Sequence, residues 1–495
     1  NCLSILAVML RHGGGHGPSG GTNLSVRFYM YTDRALDHGW FDGCPSFQAL
    51  RSSSNNDNLA EVGLRRSLLS SPLRVHSPQE ARLFYVPVFE FASFAMGECA
   101  NTTHPQRMAA AHAALQASPF WKRHSGRDHF FASSAWSWGA NSMSHRMRSL
   151  SGSLKGSIVG RYKSGPFPAA SRVGSCVIAI PWESNPAAIA SYRPPQPRAT
   201  PADAPATSKH RPLLMHFAGA LDVCCTGQHI RCAMGPLAAE TAGESDVLMR
   251  YIIPPNRSLW KPCTRRAVQL MHEKQGKLSL EKVTAVGRAR QALLRAGGGS
   301  SANDTTAMLA RRGPGGRHGA KHLAMGAERQ LNEELAATQK RAATVLADAN
   351  SIKENWRYVA TSLFEQTAYE MASSVFCLMP AGDNGIRSLM YSAIAAGCLP
   401  VILCDSLTPR SLPFSSIVPW ESFWIKLSTR IAQRDPLSVL RSLRAINGSE
   451  VRRRQRIMAH HRADLVYGLR DSRVGDNFVL EAAATRCAKL ESASA

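Results

Sequence analysis

The sequence predicts an α/β protein of two domains, each built on a parallel sheet with helices on both faces. Its 495 residues exceed the roughly 250 residues that one hydrophobic core usually serves. Short apolar runs of strand length alternate with helical patterns, which is typical of parallel sheets joined by helical crossovers. A proline-rich stretch separates two such series of runs. Together these three observations predict the fold class.

The first predicted domain covers residues 24–192 and follows a Gly-rich stem within residues 1–23. Its buried strands are expected where apolar residues cluster, at 26–31, 83–88, 129–131 and 176–181. Helical periodicity lies between these runs, at 59–69 and 106–116. The alternation predicts one complete α/β unit.

A linker is expected at residues 193–212, which contain six prolines and almost no apolar periodicity. A second α/β domain then covers residues 213–430. Its strands are expected at 213–217, 246–253, 375–378 and 399–403.

Two segments of the second half stand apart from this strand pattern. Residues 286–327 are rich in Gly and Arg and poor in aromatic residues, which predicts a disordered insertion, followed by a helix at 328–347. Residues 431–495 are basic and mostly helical in pattern, as expected of helices that pack back across two domains.

The net charge is +24, from 59 Lys and Arg against 35 Asp and Glu. A charge of this size would suit a nucleic-acid binder, a polyanion binder or an arginine-biased proteome. The basic residues are spread along the whole chain, without an aromatic-interleaved stripe or zinc-finger spacing. The sequence therefore argues against a nucleic-acid partner.

Cysteines and sequons favour a lumenal or secreted compartment. None of the twelve cysteines forms a C-x-x-C pair, which argues against a zinc ribbon. Five N-x-[ST] sequons are present, at Asn23, Asn101, Asn256, Asn303 and Asn447. The apolar run 2–10 is either the remnant of a signal anchor or a buried strand, and no other segment is long enough to cross a membrane.

The most informative window is residues 369–402. A buried strand ends at Leu378, a loop containing Pro380, Gly382 and Gly385 follows, and a helix then runs to Gly397 before another strand. Such a unit presents free backbone N–H groups and a helix N-terminus at the carboxyl edge of a sheet. An anionic diphosphate fits there, and Arg387 can pair with it, although glycine turns of this kind occur in any α/β protein.

A family resemblance rests on the string FCLMPAGD, then AIAAGCLPVILCD, then LPFSSIVPWESFWIKLS. Further stretches occur in the expected order: RFYMYTD, LLSSPLRVHSPQEARLFYVPVF, FWKRHSGRDHFFASSAWSWGA, SCVIAIPW and RPLLMHFAGAL. The chain resembles the exostosin-like glycosyltransferases, glycosyltransferase family 47, of plant or green-algal type. The resemblance covers about residues 26–427.

This resemblance implies a GT-B fold, in which two Rossmann-like domains face each other across a cleft. It also implies an inverting transfer from a UDP-sugar to a glycan or glycoprotein, in the Golgi lumen, by a type II membrane protein. The chain contains no Asp-x-Asp triplet, which agrees with a GT-B enzyme that needs no metal or other cofactor. The resemblance does not decide whether the protein forms homo- or hetero-oligomers.

The donor-binding residues that the resemblance implies depart from the family pattern at two positions. Arg387 lies about two residues early, and Ser392 stands where much of the family has an acidic residue. Either Arg387 still serves the diphosphate, or the protein is a divergent, inactive partner subunit; a secreted polyanion-binding protein is a further alternative. The implied donor residues are Gly219, Pro380, Gly382, Asp383, Asn384, Gly385, Arg387, Ser388 and Ser392.

An inverting transfer needs a base for the acceptor hydroxyl and a positive group for the departing UDP. Arg387 is the candidate for the second role. Candidates for the base are Asp128 with His129, Glu183 and Asp33, which are expected near carboxyl-side strand edges of the first domain.

Each of these side chains also has a structural interpretation. Asp128 and His129 suit a strand-entry turn, and Glu183 suits an exposed loop acid. Trp420 and Phe423 are expected to be core aromatics rather than sugar-stacking platforms. The cysteines near the second sheet, Cys377, Cys398 and Cys404, are expected to act as small buried hydrophobes.

Overall fold

The computed structural model describes residues 26–52, 56–134, 157–162, 176–195, 207, 211–221, 227–241, 244–251, 262–275, 365–382 and 385–492. The predicted stem at 1–23, most of the linker, the insertion at 286–327 and the helix at 328–347 lie outside these residues. The predicted domain boundaries therefore stay predictions.

The first sheet has six parallel strands in the order β2-β1-β3-β4-β5-β6. The strands are β1 (Phe28–Met30), β2 (Arg74–Val75), β3 (Leu83–Tyr85), β4 (His129–Ser133), β5 (Ile158–Arg161) and β6 (Cys176–Ala179). The four expected strands are confirmed, because each carries an apolar run that the sheet buries. Strands β2 and β5 were not predicted, because β2 has only two residues and β5 only four, and such short strands give little apolar pattern.

Helices of the first half follow the expected alternation with strands. They are α1 (Pro45–Arg51), α2 (Ala60–Leu69), α3 (Glu90–Met96), α4 (His104–Ala117), α5 (Pro119–His124) and α6 (Pro186–Ala190). Thr103 and Gln106 form a capping box at the start of α4. Short 3₁₀ turns lie at His38–Gly43, Asn56–Asn58 and Pro78–Glu80.

The second sheet has five parallel strands in the order β11-β10-β9-β7-β8. They are β7 (Leu213–Gly219), β8 (Val247–Tyr251), β9 (Ser374–Pro380), β10 (Leu399–Leu403) and β11 (Ile425–Lys426). Every residue of β7, β9 and β10 is buried, as expected for central parallel strands. All four expected strands are confirmed, and β11 adds a fifth.

The second half of the chain also carries a series of helices. They are α7 (Gln228–Glu240), α8 (Pro262–Gln275), α9 (Leu389–Ala396), α10 (Thr429–Arg434), α11 (Leu437–Arg444), α12 (Gly448–His460), α13 (Arg462–Leu465) and α14 (Val474–Ser492). Residues 365–372 are also helical, and 3₁₀ turns lie at Pro409–Ser411 and Trp420–Ser422. Gly397 ends α9 in the left-handed conformation (φ +82°), as its position predicted.

The C-terminal helices connect both halves of the molecule. Helix α12 contacts β10 of the second sheet, whereas α14 packs against α2 and β6 of the first. Phe478 of α14 lies 5.4 Å from Phe130 of β4 between ring centroids. The chain is therefore an α/β protein with two Rossmann-like domains of the GT-B-like kind. Its C-terminal helices contact both domains.

Three disulfides occur among the described residues, at Cys44–Cys99, Cys232–Cys263 and Cys377–Cys398. Cys377 and Cys398 are buried, as expected, and they also form a disulfide that was not predicted, with their Cα atoms 5.9 Å apart across β9 and the start of β10. Cys404 is a buried thiol, in agreement with its interpretation. Trp420 and Phe423 are 1% and 0% exposed, which confirms them as core aromatics.

Candidate functional site

The order of strands in the second sheet creates a crevice between β7 and β9. From β7 the chain moves outward to β8, and from β9 it moves the opposite way to β10 and β11. In parallel α/β sheets, ligands bind beyond the carboxyl ends of the strands at such a reversal. Gly219 and Pro380 are the last residues of β7 and β9, so they mark the two sides of this crevice.

Arg387 lies over the end of β7. Its Nη2 donates a hydrogen bond to the carbonyl oxygen of Ala218 at 3.0 Å, and its guanidinium lies 5.6 Å from the ring centroid of Phe217. Among the residues that the structure describes, no carboxylate pairs with it. Burial, and then the charge of Arg231, hold the pKa of Arg387 well below its usual value. The site therefore contains a half-buried positive charge next to a second one.

Arg231, in the first turns of α7, supplies that second charge. Its Nε donates to the carbonyl oxygen of Ala381 at 3.0 Å, and its Nη1 donates to that of Ala220 at 2.7 Å. These contacts hold the guanidinium between the ends of β7 and β9. Arg231 was not predicted from the sequence, because nothing in its local pattern separates it from other basic residues.

Two glycines permit this close approach. A Cβ atom at Gly219 would lie 2.9 Å from Nη2 of Arg387 and 3.3 Å from Nη1 of Arg231. A Cβ atom at Gly382 would lie 2.9 Å from Nη2 of Arg231. Both glycines were expected to bind the donor, and the structure places both beside the arginine pair.

The other predicted donor residues have no described contact with the arginine pair. Gly385 packs beside Cys404, and Ser388 is the residue before α9. Asp383 and Asn384 lie outside the described residues. The hydroxyl of Ser392 is buried and accepts a hydrogen bond from the backbone N–H of Asn185 at 3.0 Å. Ser392 therefore joins α9 to the first half of the chain.

Asp128 and His129 lie at the amino end of β4, not at its carboxyl end as expected. His129 Nδ1 is 2.9 Å from Asp128 Oδ1, and its Nε2 is 2.9 Å from the hydroxyl of Tyr31. Arg123 also donates to Asp128, at 3.1 Å. The expected placement is corrected: both side chains belong to a buried network beside α5, as a strand-entry turn would.

Proton affinities within this network follow from burial and pairing. Burial lowers the pKa of His129. Burial would raise the pKa of Asp128, but hydrogen bonds from His129 and Arg123 outweigh it and bring that pKa below its usual value.

Glu183 and Asp33 both lie beyond carboxyl ends of strands, as expected. Glu183 follows β6, and its Oε1 forms an ion pair with Arg66 at 2.6 Å, so it is not an exposed loop acid. Burial raises the pKa of Glu183, with the charge of Arg66 opposing that effect. Asp33 is exposed, and its Oδ1 accepts a hydrogen bond from the N–H of Ala35 at 2.8 Å. Neither side chain has a described contact with Arg231 or Arg387.

Asp57, which was not predicted from the sequence, lies beside the second domain. The side chain of Ser388, the residue after Arg387, lowers the pKa of the Asp57 carboxyl. Burial has the larger, opposite effect and raises that pKa to about 6. The carboxyl edges of the two sheets therefore face each other at this contact.

Comparisons with known proteins agree with the resemblance in the sequence. The Exostosin GT47 domain matches residues 23–277 and 267–445. The chain is similar to the probable glucuronosyltransferase 47 A of Physcomitrium patens, with 30% identity over 111 residues, 22% of this chain and 23% of that protein. It is also similar to the probable beta-1,4-xylosyltransferase IRX10 of Arabidopsis thaliana, with 32% identity over 95 residues, 19% and 21% of the two chains.

A third plant relative is the probable glucuronosyltransferase GUT1 of Oryza sativa subsp. japonica, with 31% identity over 110 residues, 22% of this chain and 25% of that protein. The chain thus spans about a quarter or less of the length of the curated relatives it matches. Among solved structures, a UDP-N-acetylglucosamine 2-epimerase aligns over 88% of this chain and 95% of its own, with 11% identity and a TM-score of 0.28. A TM-score this low does not establish that the two chains share a fold.

The domain match covers most of the chain and includes β7, β9, the arginine pair and the loop that carries Arg387. The relatives' names agree with it. This protein therefore belongs to the exostosin GT47 family.

Proposed function

We propose that this protein is an inverting glycosyltransferase that transfers a sugar from a UDP-sugar to a glycan or glycoprotein acceptor. The observation that carries the proposal is the arginine pair at the crevice between β7 and β9. Two guanidinium groups side by side repel each other, and a diphosphate between them would remove that repulsion. The same charges would stabilise UDP as it leaves, which is the charge that develops in the transition state.

The relatives' names suggest which sugars to test. Related proteins carry names of glucuronosyltransferases and beta-1,4-xylosyltransferases. We therefore propose UDP-glucuronic acid and UDP-xylose as the first donors, with β-1,4-linked xylo-oligosaccharides as the first acceptors. The decisive experiment measures UDP release from these and other UDP-sugars, with and without acceptor.

Metal independence is part of the proposal. It rests on the absence of an Asp-x-Asp triplet in the sequence and on the arginine pair, which can neutralise the diphosphate without a cation. Calorimetric titration of UDP should give the same affinity in EDTA and in manganese. Binding that needs manganese would contradict this part of the proposal.

We further propose a Golgi lumenal location. Three disulfides among the described residues favour an oxidising compartment, and five sequons agree with it. No helix in the described part of the chain has the length and apolarity that a membrane span requires. We propose the apolar run at 2–10, which lies outside the described residues, as part of a type II anchor.

A second candidate function is a non-catalytic partner subunit. The observation that favours it concerns Ser392, which stands where much of the family has an acidic residue. Its hydroxyl accepts a hydrogen bond from the backbone N–H of Asn185. UDP binding without turnover of any UDP-sugar would support this alternative. Salt-dependent retention on heparin or pectin without UDP binding would instead indicate a polyanion-binding protein.

A further inference from the structure

The sequon at Asn447 lies at the protein surface between two helices. Its three residues, Asn447, Gly448 and Ser449, connect α11 to the first turn of α12. Asn447 and Ser449 are both exposed. N-linked oligosaccharides are bulky, and they are attached at such triplets in surface loops of secreted proteins. The fold therefore leaves space for this modification at Asn447.

The side-chain amide of Asn447 uses only its oxygen within the fold. Oδ1 accepts a hydrogen bond from the N–H of Glu450 at 2.8 Å and another from the hydroxyl of Ser449 at 2.7 Å. Asn447 is thus the N-cap of α12. Among the residues that the structure describes, Nδ2 has no hydrogen-bond partner, and Nδ2 is the atom that carries an N-linked glycan. A glycan on Nδ2 would therefore leave the helix cap intact.

Asn447 also lies at the edge of the second sheet that is opposite to the crevice. Arg444 pairs with Asp246 at 3.2 Å, and Arg454 donates a hydrogen bond to the carbonyl oxygen of Trp424 at 2.7 Å. Asp246 and Trp424 directly precede β8 and β11, so both contacts lie at amino ends of strands. The crevice lies beyond the carboxyl ends of β7 and β9. A glycan at Asn447 would therefore leave the arginine pair accessible.

We propose that Asn447 carries an N-linked oligosaccharide, a modification that rests on the lumenal location proposed above. The co-reactant is an oligosaccharide linked to a lipid diphosphate in the secretory pathway. Nδ2 of Asn447 forms a bond to C1 of the first sugar and loses one proton, which passes to solvent. The bond between C1 and the diphosphate oxygen breaks, and its electron pair leaves with the lipid diphosphate.

Peptide mapping of the full chain, purified from the cells that naturally make it, tests the proposal. Arg444 and Arg452 flank the sequon, so trypsin releases residues 445–452, which contain no other sequon. Peptide N-glycosidase in water labelled with heavy oxygen converts a glycosylated Asn into labelled Asp. We expect this label at Asn447.

The same map distinguishes two ways in which the proposal can fail. Label at other sequons but not at Asn447 would overturn the Asn447 assignment alone. Absence of label at all five sequons would overturn the lumenal location as well. The release of UDP from UDP-sugars tests glycosyl transfer independently of both results.

Asn447→Asp separates the glycan from the helix cap. Asp keeps an acceptor oxygen for the N–H of Glu450 but lacks Nδ2. We expect this variant to lose the mobility shift of one glycan on a gel and to have the Tm of the enzymatically deglycosylated wild type. Asn447→Ala loses both the glycan and the cap, so its Tm should be lower than that of Asn447→Asp by about 2–4 °C.

Ser449→Ala gives a second test, because it destroys the sequon while Asn447 stays in place. Its gel mobility should match that of Asn447→Asp. Ser442→Ala is the matched control, since Ser442 is an exposed residue of α11 outside any sequon, and this variant should keep the glycan. Calorimetric UDP affinity should be equal in all four variants. Wild-type mobility in both Asn447→Asp and Ser449→Ala would overturn the proposal.

Discussion

The half-buried guanidinium of Arg387 contacts a backbone carbonyl and an aromatic face rather than a carboxylate. Charged side chains are almost never buried without a partner of opposite charge, because losing hydration is costly. The second guanidinium, that of Arg231, adds repulsion to that cost. An anionic ligand would therefore improve the energy of this region, and its binding should depend directly on these side chains.

Arg387→Ala should lower kcat/KM by roughly one to three orders of magnitude, because each charge-assisted contact to a phosphate contributes about 1.5–3 kcal/mol. The Tm without ligand should change little, since the substitution also removes a repulsion. UDP should raise the Tm of the wild type but much less that of the variant. Arg410→Ala is the control, because Arg410 is exposed in a 3₁₀ turn. An equal UDP response in all three proteins would contradict the assignment.

Individual site residues were predictable only where the chain keeps them together. Gly382, Ser388 and Arg387 share one window whose strand, loop and helix pattern has a direct physical meaning. Arg231 and Asp57 reach the same region through strand order and domain contact, which no local pattern records. Asp128 and His129 show the opposite failure, because they stand at the start of the strand predicted at 129–131, and this order along the chain already placed them at its amino end.

At the scale of elements, the end of β7 limits how close a ligand-binding side chain can come. Gly219→Ala should displace the arginine pair, since the new methyl group would lie 2.9 Å from Arg387 Nη2. The atoms in the way are ends of flexible side chains, but Gly219 has a φ of +158°, so the substitution also strains the backbone and the Tm of the variant should fall. We expect UDP affinity to fall about tenfold, as for the loss of one hydrogen bond to a charged group. Calorimetric titration measures it.

Gly43→Ala is the matched control for this substitution. Gly43 ends a 3₁₀ turn, and no atom lies within 4 Å of the position its Cβ would take. UDP affinity should therefore equal that of the wild type. Unchanged UDP binding in Gly219→Ala would show that the arginine pair is not the diphosphate site.

The Cys377–Cys398 disulfide encloses the rest of β9, the loop that carries Arg387, and α9. Replacing both cysteines by Ala should lower the free energy of unfolding by about 3 kcal/mol, as expected when a loop of this length loses its cross-link. Urea unfolding measures this change. Cys404→Ala, which removes a buried thiol without a cross-link, should have a much smaller effect. Equal losses would indicate that packing, not the cross-link, stabilises the unit.

At the scale of the whole molecule, long apolar runs predicted the central strands because central parallel strands are buried on both faces. The edge strands β2 and β11 have two residues each, and such short elements leave no periodicity to detect. The basic helical pattern of residues 431–495 predicted that C-terminal helices pack back across the domains. The residues that α14 contacts could not be predicted, because they depend on packing between distant parts of the chain.

Ending the chain after Arg473 should unfold the first domain. The removed helix buries Val474, Phe478 and Val479 completely. Full burial of one such side chain contributes about 1.5–3 kcal/mol, so the loss is comparable to the stability of a whole domain. Scanning calorimetry should show a missing or early transition, whereas a chain ending at Ser492 should behave as the full chain does. Identical transitions in both truncations would contradict the role of α14.

The position of α14 also sets the order in which the protein can mature during synthesis. Ser71 and Asp476, whose side chains meet at 2.5 Å, are 405 residues apart in the chain. At about 5–20 residues per second, the first domain waits roughly 20 to 80 s for its last helix after Ser71 has been made. During that interval the surface that Phe478 later covers stays open. We therefore expect the nascent chain to bind chaperones until α14 has been made, and premature termination to leave two damaged domains rather than one.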